Sequence, residues 1–144
     1  MKIRRARRED FPGMREIYLD VRRECFPWLD PASLAPEDFD AETEGEEIWT
    51  ACVDGRLAGF VTVWVPDRFI HLLFVDRLFQ GHQAGTGLLD TVRKIYGTPL
   101  TLKCVKKNRR AVDFYLSRGW KIAQEAVCSE GAYYLMRLAE EGQE

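Results

Sequence analysis

Residues 69–90 read FIHLLFVDRLFQGHQAGTGLLD and determine the architecture of the chain. The apolar run from Phe69 to Val75 predicts a strand that is covered on both faces. Asp76 and Arg77 end this strand, and a glycine-bearing loop then leads into an amphipathic helix over about residues 83–96. The free N–H groups and the dipole of such a helix start favour an anion such as a pyrophosphate. The alternative is that the glycines only make a tight strand-to-helix turn, because short glycine patterns also occur by chance.

The composition is that of one globular domain. The chain has 144 residues, of which 46% are hydrophobic and 31% charged, and this length suits one core but not two of ordinary size. The net charge of −2 gives no reason to expect nucleic acid as a partner. No apolar run approaches the roughly 18 residues of a membrane span, and no signal peptide is recognisable, so neither a membrane partner nor export is expected and the cytoplasm is the expected location. Four scattered cysteines and two histidines form no readable metal site.

The patterns on both sides of the central stretch predict an alternating order of strands and helices. The predicted order is β α (α) β β β α β α β β, where the bracketed helix is optional. The earlier strands form a meander, and the later strands alternate with helices. This order favours a mixed α/β sheet with helices on both faces. The predicted elements outside the central stretch are a strand at 2–7, a helix from Phe11 to about Cys25, a hairpin at 47–65 that turns at Asp54-Gly55, a strand at 100–105, a helix from Asn108 to Gly119 and a final strand pair at 120–128 and 132–138.

The central stretch resembles motif A of the GNAT N-acetyltransferase superfamily. That motif is a strand, V-x-P, then R/Q-x-x-G-x-G/A, then a helix that begins with Leu-Leu. Val75, Gln80, Gly85 and the pair Leu88-Leu89 match it, whereas Arg77 replaces the usual proline. Gln83 stands where the middle glycine is expected.

A second motif extends the resemblance over nearly the whole chain. Residues 108–120, NRRAVDFYLSRGW, fill every position of the family pattern N-x-x-A-x-x-F/L-Y-x-x-x-G-F/W. The resemblance implies a GNAT-like fold with a mostly antiparallel, twisted sheet of six or seven strands and about four helices. It also implies a single acetyltransferase domain over residues 1–139, followed by an acidic tail at 140–144 that is expected to be frayed.

The resemblance implies that acetyl-CoA is the co-substrate and that no metal takes part. Backbone groups of Leu73, Phe74 and Val75 would pair with the pantetheine arm as an added strand, and Asn108 would hydrogen-bond that arm or the loop. The basic residues Lys106, Lys107, Arg109 and Arg110 would contact the phosphorylated ribose, or else they form a solvated basic patch. The implied pyrophosphate site comprises Gln80, Gly81, His82, Gln83, Ala84, Gly85, Thr86 and Gly87.

The implied reaction transfers the acetyl group to a primary amine of a small molecule or peptide by direct attack in a ternary complex. An amine with a pKa near 10.4 must first lose a proton to a base, and the departing thiolate needs a proton. Tyr115 resembles the tyrosine that supplies this proton in many family members, although it could instead anchor its helix through its ring. The alternative function, suggested by Gln83, is an acyl-CoA-binding sensor or interaction module that has lost turnover.

His71 is the candidate base because histidine titrates in the required range, although it could also be a satisfied core histidine. A regular strand would place it on the side of Leu73 and Val75, and a bulge would change this. Glu24 and Asp30 are the competing candidates for the base.

The acceptor site is the least determined part of the sequence. Phe26 and Trp28, in a proline-rich segment that is either a packed connector or a pocket wall, are candidate acceptor-binding residues together with His71. An acidic run at 37–47 is either a solvated face or a field that attracts cations, and with Trp28, Trp49 and Trp64 it suggests a cationic acceptor. Both a monomer and a homodimer are compatible with the sequence, since the last strand could be an exposed edge.

Overall fold

The strand predicted at residues 69–75 lies in the middle of a seven-stranded sheet. The computed structural model describes residues 1–25, 35–81, 83–128 and 131–139, without the side chains of Glu24 and Cys25. The strands are β1 (Lys2–Arg5), β2 (Glu47–Val53), β3 (Arg56–Trp64), β4 (Phe69–Val75), β5 (Leu100–Val105), β6 (Lys121–Cys128) and β7 (Gly131–Leu138). The helices are α1 (Phe11–Cys25), α2 (Glu37–Glu42), α3 (Ala84–Tyr96) and α4 (Arg109–Ser117).

The sheet is mixed and mostly antiparallel, as predicted. Its strand order is β1-β2-β3-β4-β5-β7-β6, and β4 and β5 are the one parallel pair among the described strands. The expectation that the last strand forms an edge is wrong, because β7 is hydrogen-bonded to β5 on one side and to β6 on the other. The two edges are therefore β1 and β6.

Helices cover both faces of the sheet, which confirms the predicted layering. Leu88, Val92 and Val112 of α3 and α4 are buried in one core. Met14 and Tyr18 of α1 pack in a second core, which also contains Phe39 of α2 and the β3 and β4 residues Phe60, Leu72 and Phe74. Each core forms because the apolar stripe of an amphipathic helix is removed from water against the sheet.

Strands β4 and β5 separate shortly after they begin. Their register contains only the pairs Phe69–Thr101 and Ile70–Leu102, although the strands have 7 and 6 residues. The β3–β4 ladder has a register shift at the same level, between Thr62 and Val63, which leaves His71 without a partner on β3. A bulge bends a strand and increases its local twist. The edge of β4 that faces β5 consequently has no strand partner from His71 onward in the described part of the chain.

Candidate active site

A cavity of about 390 Å³ lies where the free half of β4, the loop after it and α4 meet. Val21 of α1 closes one side. The lining brings together most of the predicted cofactor-binding residues and the predicted acid: Leu73, Phe74, Val75, Gln80, Gly81, Gln83, Ala84, Gly85, Thr86, Asn108 and Tyr115. His82, Phe26, Trp28 and Asp30 lie outside the described residues, as does the side chain of Glu24.

The start of α3 presents free backbone donors to this cavity. The Gly87 N–H donates to the Gln83 carbonyl oxygen at 2.9 Å and makes the first bond of the helix. The N–H groups of Ala84, Gly85 and Thr86 come before it, so they have no acceptor within the helix. All three residues line the cavity, and the positive end of the helix dipole lies there as well. This arrangement suits a phosphate group.

Gly87 has a packing role that the sequence did not reveal. A Cβ atom at this position would lie 2.6 Å from Met1 Cε and 2.9 Å from Ile3 Cδ1. The absence of a side chain therefore lets the first residues of the chain pack against α3. Gly87 does not line the cavity, and its N–H is already bonded within the helix, so it has no group to offer a ligand there.

Gln83 adopts the backbone conformation that glycine takes most easily. Its φ of 65° and ψ of 15° are left-handed, and it forms the N-cap of α3 with an exposed side chain. A left-handed conformation costs an L-residue other than glycine about 1–2 kcal/mol. The missing glycine of the motif is thus replaced by a strained residue at the rim of the cavity.

We expect Gln83→Gly to stabilise the protein without loss of cofactor affinity. The relief of strain exceeds the extra unfolded-state entropy of glycine by about 0.5–1 kcal/mol, which corresponds to a rise of about 2–4 °C in the unfolding midpoint. Differential scanning fluorimetry and titration calorimetry with acetyl-CoA measure the two quantities. Gln83→Ala is the matched control, because it removes the side chain but keeps the strain. A glycine variant that melts no higher than the alanine variant would contradict this account.

Two arginines flank the end of the cavity at the start of α3. Arg110 Nη1 donates to Gln80 Oε1 at 3.5 Å, and Gln80 Nε2 donates to the Val75 carbonyl oxygen at 3.2 Å. Arg118 donates through Nε and Nη2 to Thr86 Oγ1 at 3.2 and 2.8 Å, and its guanidinium lies 4.8 Å from the centroid of the Phe114 ring.

Sequence analysis did not single out Arg118. The available signal was the spacing of Arg110, Phe114 and Arg118, since steps of four residues share one helix face. Of the four basic residues that were singled out, Arg110 lines the cavity, whereas Lys106 pairs with Glu125 at 2.9 Å and Lys107 and Arg109 line neither described cavity.

Asn108 caps α4 and still offers an amide group for the predicted hydrogen bond to a ligand. Its Oδ1 accepts a hydrogen bond from the Ala111 N–H at 3.3 Å, which makes it the N-cap of α4. The side-chain amide NH₂ is left as a donor, and the residue lines the large cavity.

Tyr115 lies on α4 at the inner end of the cavity. Its ring packs edge-on against Phe114 and Trp120, with centroid distances of 5.4 and 5.7 Å. The residue is 8% exposed, and its hydroxyl makes no hydrogen bond to another described side chain. Burial raises the pKa of the phenol, so Tyr115 stays protonated at neutral pH and can donate a proton.

A second cavity, of about 130 Å³, occupies the fork between β4 and β5. Leu73, Phe74, Asn108, Ala111 and Tyr115 line both cavities, so the two share a wall. The basic residues Arg22, His71 and Lys103 line only the second one, and none of its described lining residues is acidic. Two molecules bound one in each cavity would therefore meet near Tyr115.

His71 lies on the bulge and is bonded to a carboxylate. Ile70 packs in the same core as Leu73 and Val75. In a regular strand Ile70 would point to the opposite face of the sheet, so the alternation of side chains between the two faces is interrupted at His71. The His71 Nδ1 atom lies 2.8 Å from Glu46 Oε2, and the His71 side chain is 30% exposed. The hydrogen bond with Glu46 raises the pKa of His71 despite partial burial.

Three carboxylates of the acidic run are paired within the protein. Asp40 pairs with Arg15 at 2.6 Å, Glu46 binds His71, and Glu47 accepts a hydrogen bond from Tyr96. Trp49 donates to the Tyr96 hydroxyl at 2.9 Å and, like Trp64, does not line either described cavity. These residues therefore give no structural support for the predicted cationic acceptor.

Cys104 lines the second cavity but is poorly suited to carry an acyl group. Burial raises the pKa of its thiol to about 11, so the nucleophilic thiolate is scarce at neutral pH. The described residues contain no cluster of three or more His, Cys, Asp or Glu side chains that could hold a metal ion. Over the same ranges, each helix falls short of the length and apolar character that a bilayer crossing requires.

Comparison with known proteins gives one consistent result. The model of the acetyltransferase (GNAT) family matches residues 9–120. A peptidyl-lysine N-acetyltransferase, YiaC of Escherichia coli, is 28% identical over 126 aligned residues, and the alignment covers 83% of each chain. A GCN5-related N-acetyltransferase structure from Rhodopseudomonas palustris superposes with a TM-score of 0.81 at 22% identity, covering 96% of this chain and 94% of that one. The Salmonella typhimurium protein yncA, solved with acetyl-CoA, superposes with a TM-score of 0.73 at 16% identity, covering 99% and 95%. Taken with the fold and the paired cavities, the match over residues 9–120 means that the chain belongs to the GNAT acetyltransferase family.

Proposed function

We propose that this protein is an N-acetyltransferase that moves the acetyl group of acetyl-CoA to a lysine side chain of a peptide or protein. The observation that carries the proposal is the pair of cavities that meet at Tyr115, one with phosphate-binding character and the other with a histidine. The acetyltransferase relative from E. coli supports the reaction class and the lysine acceptor.

The residues of the large cavity fit acetyl-CoA. The N–H groups of Ala84, Gly85 and Thr86 would bind its diphosphate, and Arg110 and Arg118 add two positive charges beside them. The free edge of β4 from Leu73 to Val75 offers backbone donors and acceptors to an extended pantetheine arm. Acetyl-CoA supplies an activated thioester, and the protein has to orient it and move protons around it.

His71 and Tyr115 divide the proton transfers between them. His71 would accept the proton of the acceptor amine, because its ring nitrogen titrates near neutral pH whereas the amine does not. Tyr115, held protonated by burial, would give a proton to the departing thiolate. Backbone donors at the end of β4 would stabilise the oxyanion between these two steps.

The charge of the second cavity favours a lysine that is flanked by acidic residues. The Lys103 ammonium lies 6.0 and 5.3 Å from the centroids of the Phe69 and Tyr133 rings and makes no salt bridge to a described carboxylate. A carboxylate on the acceptor could pair with it, whereas a cationic flank would be repelled. The acceptor lysine is itself a cation, as the sequence suggested, and we propose that acidic residues flank it in the peptide.

We expect Arg118→Ala to weaken the binding of acetyl-CoA at least about tenfold, the lower end of the range for a charge-assisted hydrogen bond of about 1.5–3 kcal/mol, because Arg118 is exposed. Titration calorimetry measures this constant, with Arg109→Ala as the matched control because Arg109 is exposed on the same helix and does not line the cavity. The same titration with dephospho-CoA identifies the phosphate involved. If Arg118→Ala weakens the binding of dephospho-CoA by the same factor, Arg118 contacts the diphosphate. Equal constants for wild type and Arg118→Ala would contradict the placement of the phosphates.

Mass spectrometry of peptides incubated with acetyl-CoA tests the reaction itself. Two lysine peptides that differ only in flanking Glu or Arg residues form the acceptor panel, and thiol release gives the rate. We expect acetylation of the lysine, faster in the Glu-flanked peptide. Binding of acetyl-CoA without transfer to either peptide or to small amines would favour the alternative function, a CoA-binding sensor.

A further inference from the structure

Glu46 is a buried carboxylate with one described hydrogen-bonding partner, the His71 ring. Its side chain is 7% exposed, Oε2 lies 2.8 Å from His71 Nδ1, and Oε1 is buried without a hydrogen-bond partner. Burying a carboxylate is costly unless its lone pairs are satisfied, and a buried ion pair contributes little net stability. A purely structural role therefore explains this arrangement poorly.

The pairing fixes the tautomer of the histidine. An ionised carboxylate only accepts hydrogen bonds, so in the neutral ring Nδ1 carries the hydrogen and Nε2 keeps its lone pair. Nε2 makes no hydrogen bond to another described residue, and His71 lines the second cavity. The bulge at His71 gives the ring its contact with Glu46, which lies 25 residues away in the chain.

We propose that Glu46 is a positioning residue for acetyl transfer and holds His71 in the tautomer whose Nε2 takes the proton from the acceptor amine. This proposal rests on the proposed function. The hydrogen bond to Glu46 also makes the imidazolium more favourable, so His71 becomes a stronger base toward the amine.

The proton and bond changes balance within the residues named. The lysine ammonium first loses one proton to water. The free amine nitrogen then bonds to the acetyl carbonyl carbon, and Nε2 of His71 takes one of the two protons that remain on that nitrogen. The carbon–sulfur bond of the thioester then breaks, and the thiolate receives the hydroxyl proton of Tyr115. After product release, His71 returns its proton to water and Tyr115 regains one.

The other charged groups near His71 come from three elements. Glu42 of α2 raises the pKa of His71 and Lys103 of β5 lowers it, while Arg22 of α1 lines the same cavity. Glu46 alone makes a direct hydrogen bond to the ring among the described residues. Removing Glu46 should therefore change the titration of His71 more than removing any of the other three.

Glu46→Gln tests the proposal because it keeps the shape of the side chain and removes its charge. We expect kcat/KM at its plateau to fall about tenfold or more, the scale found for residues that orient metal-ligating histidines. We also expect the acid limb of the pH profile to move to lower pH, because the His71 pKa returns toward its ordinary value. Nitrogen-detected NMR of the two histidines should show the same displacement in His71 and a mixture of its tautomers, because the glutamine amide can accept from Nδ1–H or donate to Nδ1.

Glu47→Gln is the matched control, since this neighbouring carboxylate binds Tyr96 and Arg5 and not His71. It should leave the acid limb unchanged. A wild-type acid limb in Glu46→Gln, with the His71 NMR titration displaced, would show that His71 is not the base. The roles of His71 and Glu46 would then both fall, while the acetyl transfer itself stands. Absence of transfer by the wild-type protein, with acetyl-CoA bound, would overturn the proposed function as well.

Discussion

Tyr115→Phe is expected to lower kcat about a hundredfold and to leave the affinity for acetyl-CoA unchanged. A general acid contributes about 10²–10⁴-fold to rate, and phenylalanine cannot donate a proton to the thiolate. The ring contacts with Phe114 and Trp120 are kept, and the lost hydroxyl makes no hydrogen bond to another described side chain. The unfolding free energy should accordingly change by less than about 0.5 kcal/mol.

Steady-state kinetics with a good lysine peptide, calorimetry with acetyl-CoA and thermal unfolding measure these three quantities. Tyr134→Phe provides the control, because Tyr134 lies on β7 and lines neither described cavity. If Tyr115→Phe turns over as fast as wild type, Tyr115 only anchors α4 to the core, and another donor must protonate the thiolate.

His71→Gln is expected to lower kcat by a similar factor, about a hundredfold, for a different reason. Glutamine can still donate a hydrogen bond to Glu46, which avoids leaving the buried carboxylate without a partner, but it cannot accept a proton. The pH profile is the distinguishing measurement. In wild type the rate should rise with pH through the His71 pKa, which Glu46 holds above its ordinary value, and in His71→Gln this limb should disappear.

Stability gives an independent check on the His71 pair. A histidine whose pKa is raised in the folded protein stabilises the fold below its unfolded-state pKa, and this contribution is lost as the pH rises through the folded-state value. The difference in unfolding free energy between wild type and His71→Gln should therefore shrink as the pH rises. If the acid limb of the rate survives in His71→Gln, a different base operates.

Local patterns in the sequence predicted most of the elements. The strand at 100–105 agrees with β5, and the predicted helix at 83–96 differs from α3 by one residue. Asn108 is the N-cap of α4 as its position in the motif suggests. These features depend on residues within one or two helical turns or on strand alternation, so they can be read from neighbouring positions.

The polarity of β6 and β7 indicates which of the two strands lies at the edge of the sheet. Both strands fit a hairpin, which leaves open which of them pairs with β5. Lys121 and Glu125 of β6 are exposed, whereas Met136 of β7 is fully buried. Charged side chains are typical of edge strands, so the more polar strand was the better candidate for the edge.

The sequence by itself determined the elements, the family and the residues of the turn before α3, because these depend on periodicity and on motifs of about a dozen positions. The tertiary structure alone decided the separation of β4 from β5, the bulge at His71 and the contact of His71 with Glu46. It also showed that three carboxylates of the acidic run, Asp40, Glu46 and Glu47, are paired within the protein and that Arg118 lines the cavity. These features depend on strand register and on contacts between residues about 25 or more positions apart, which no local pattern specifies.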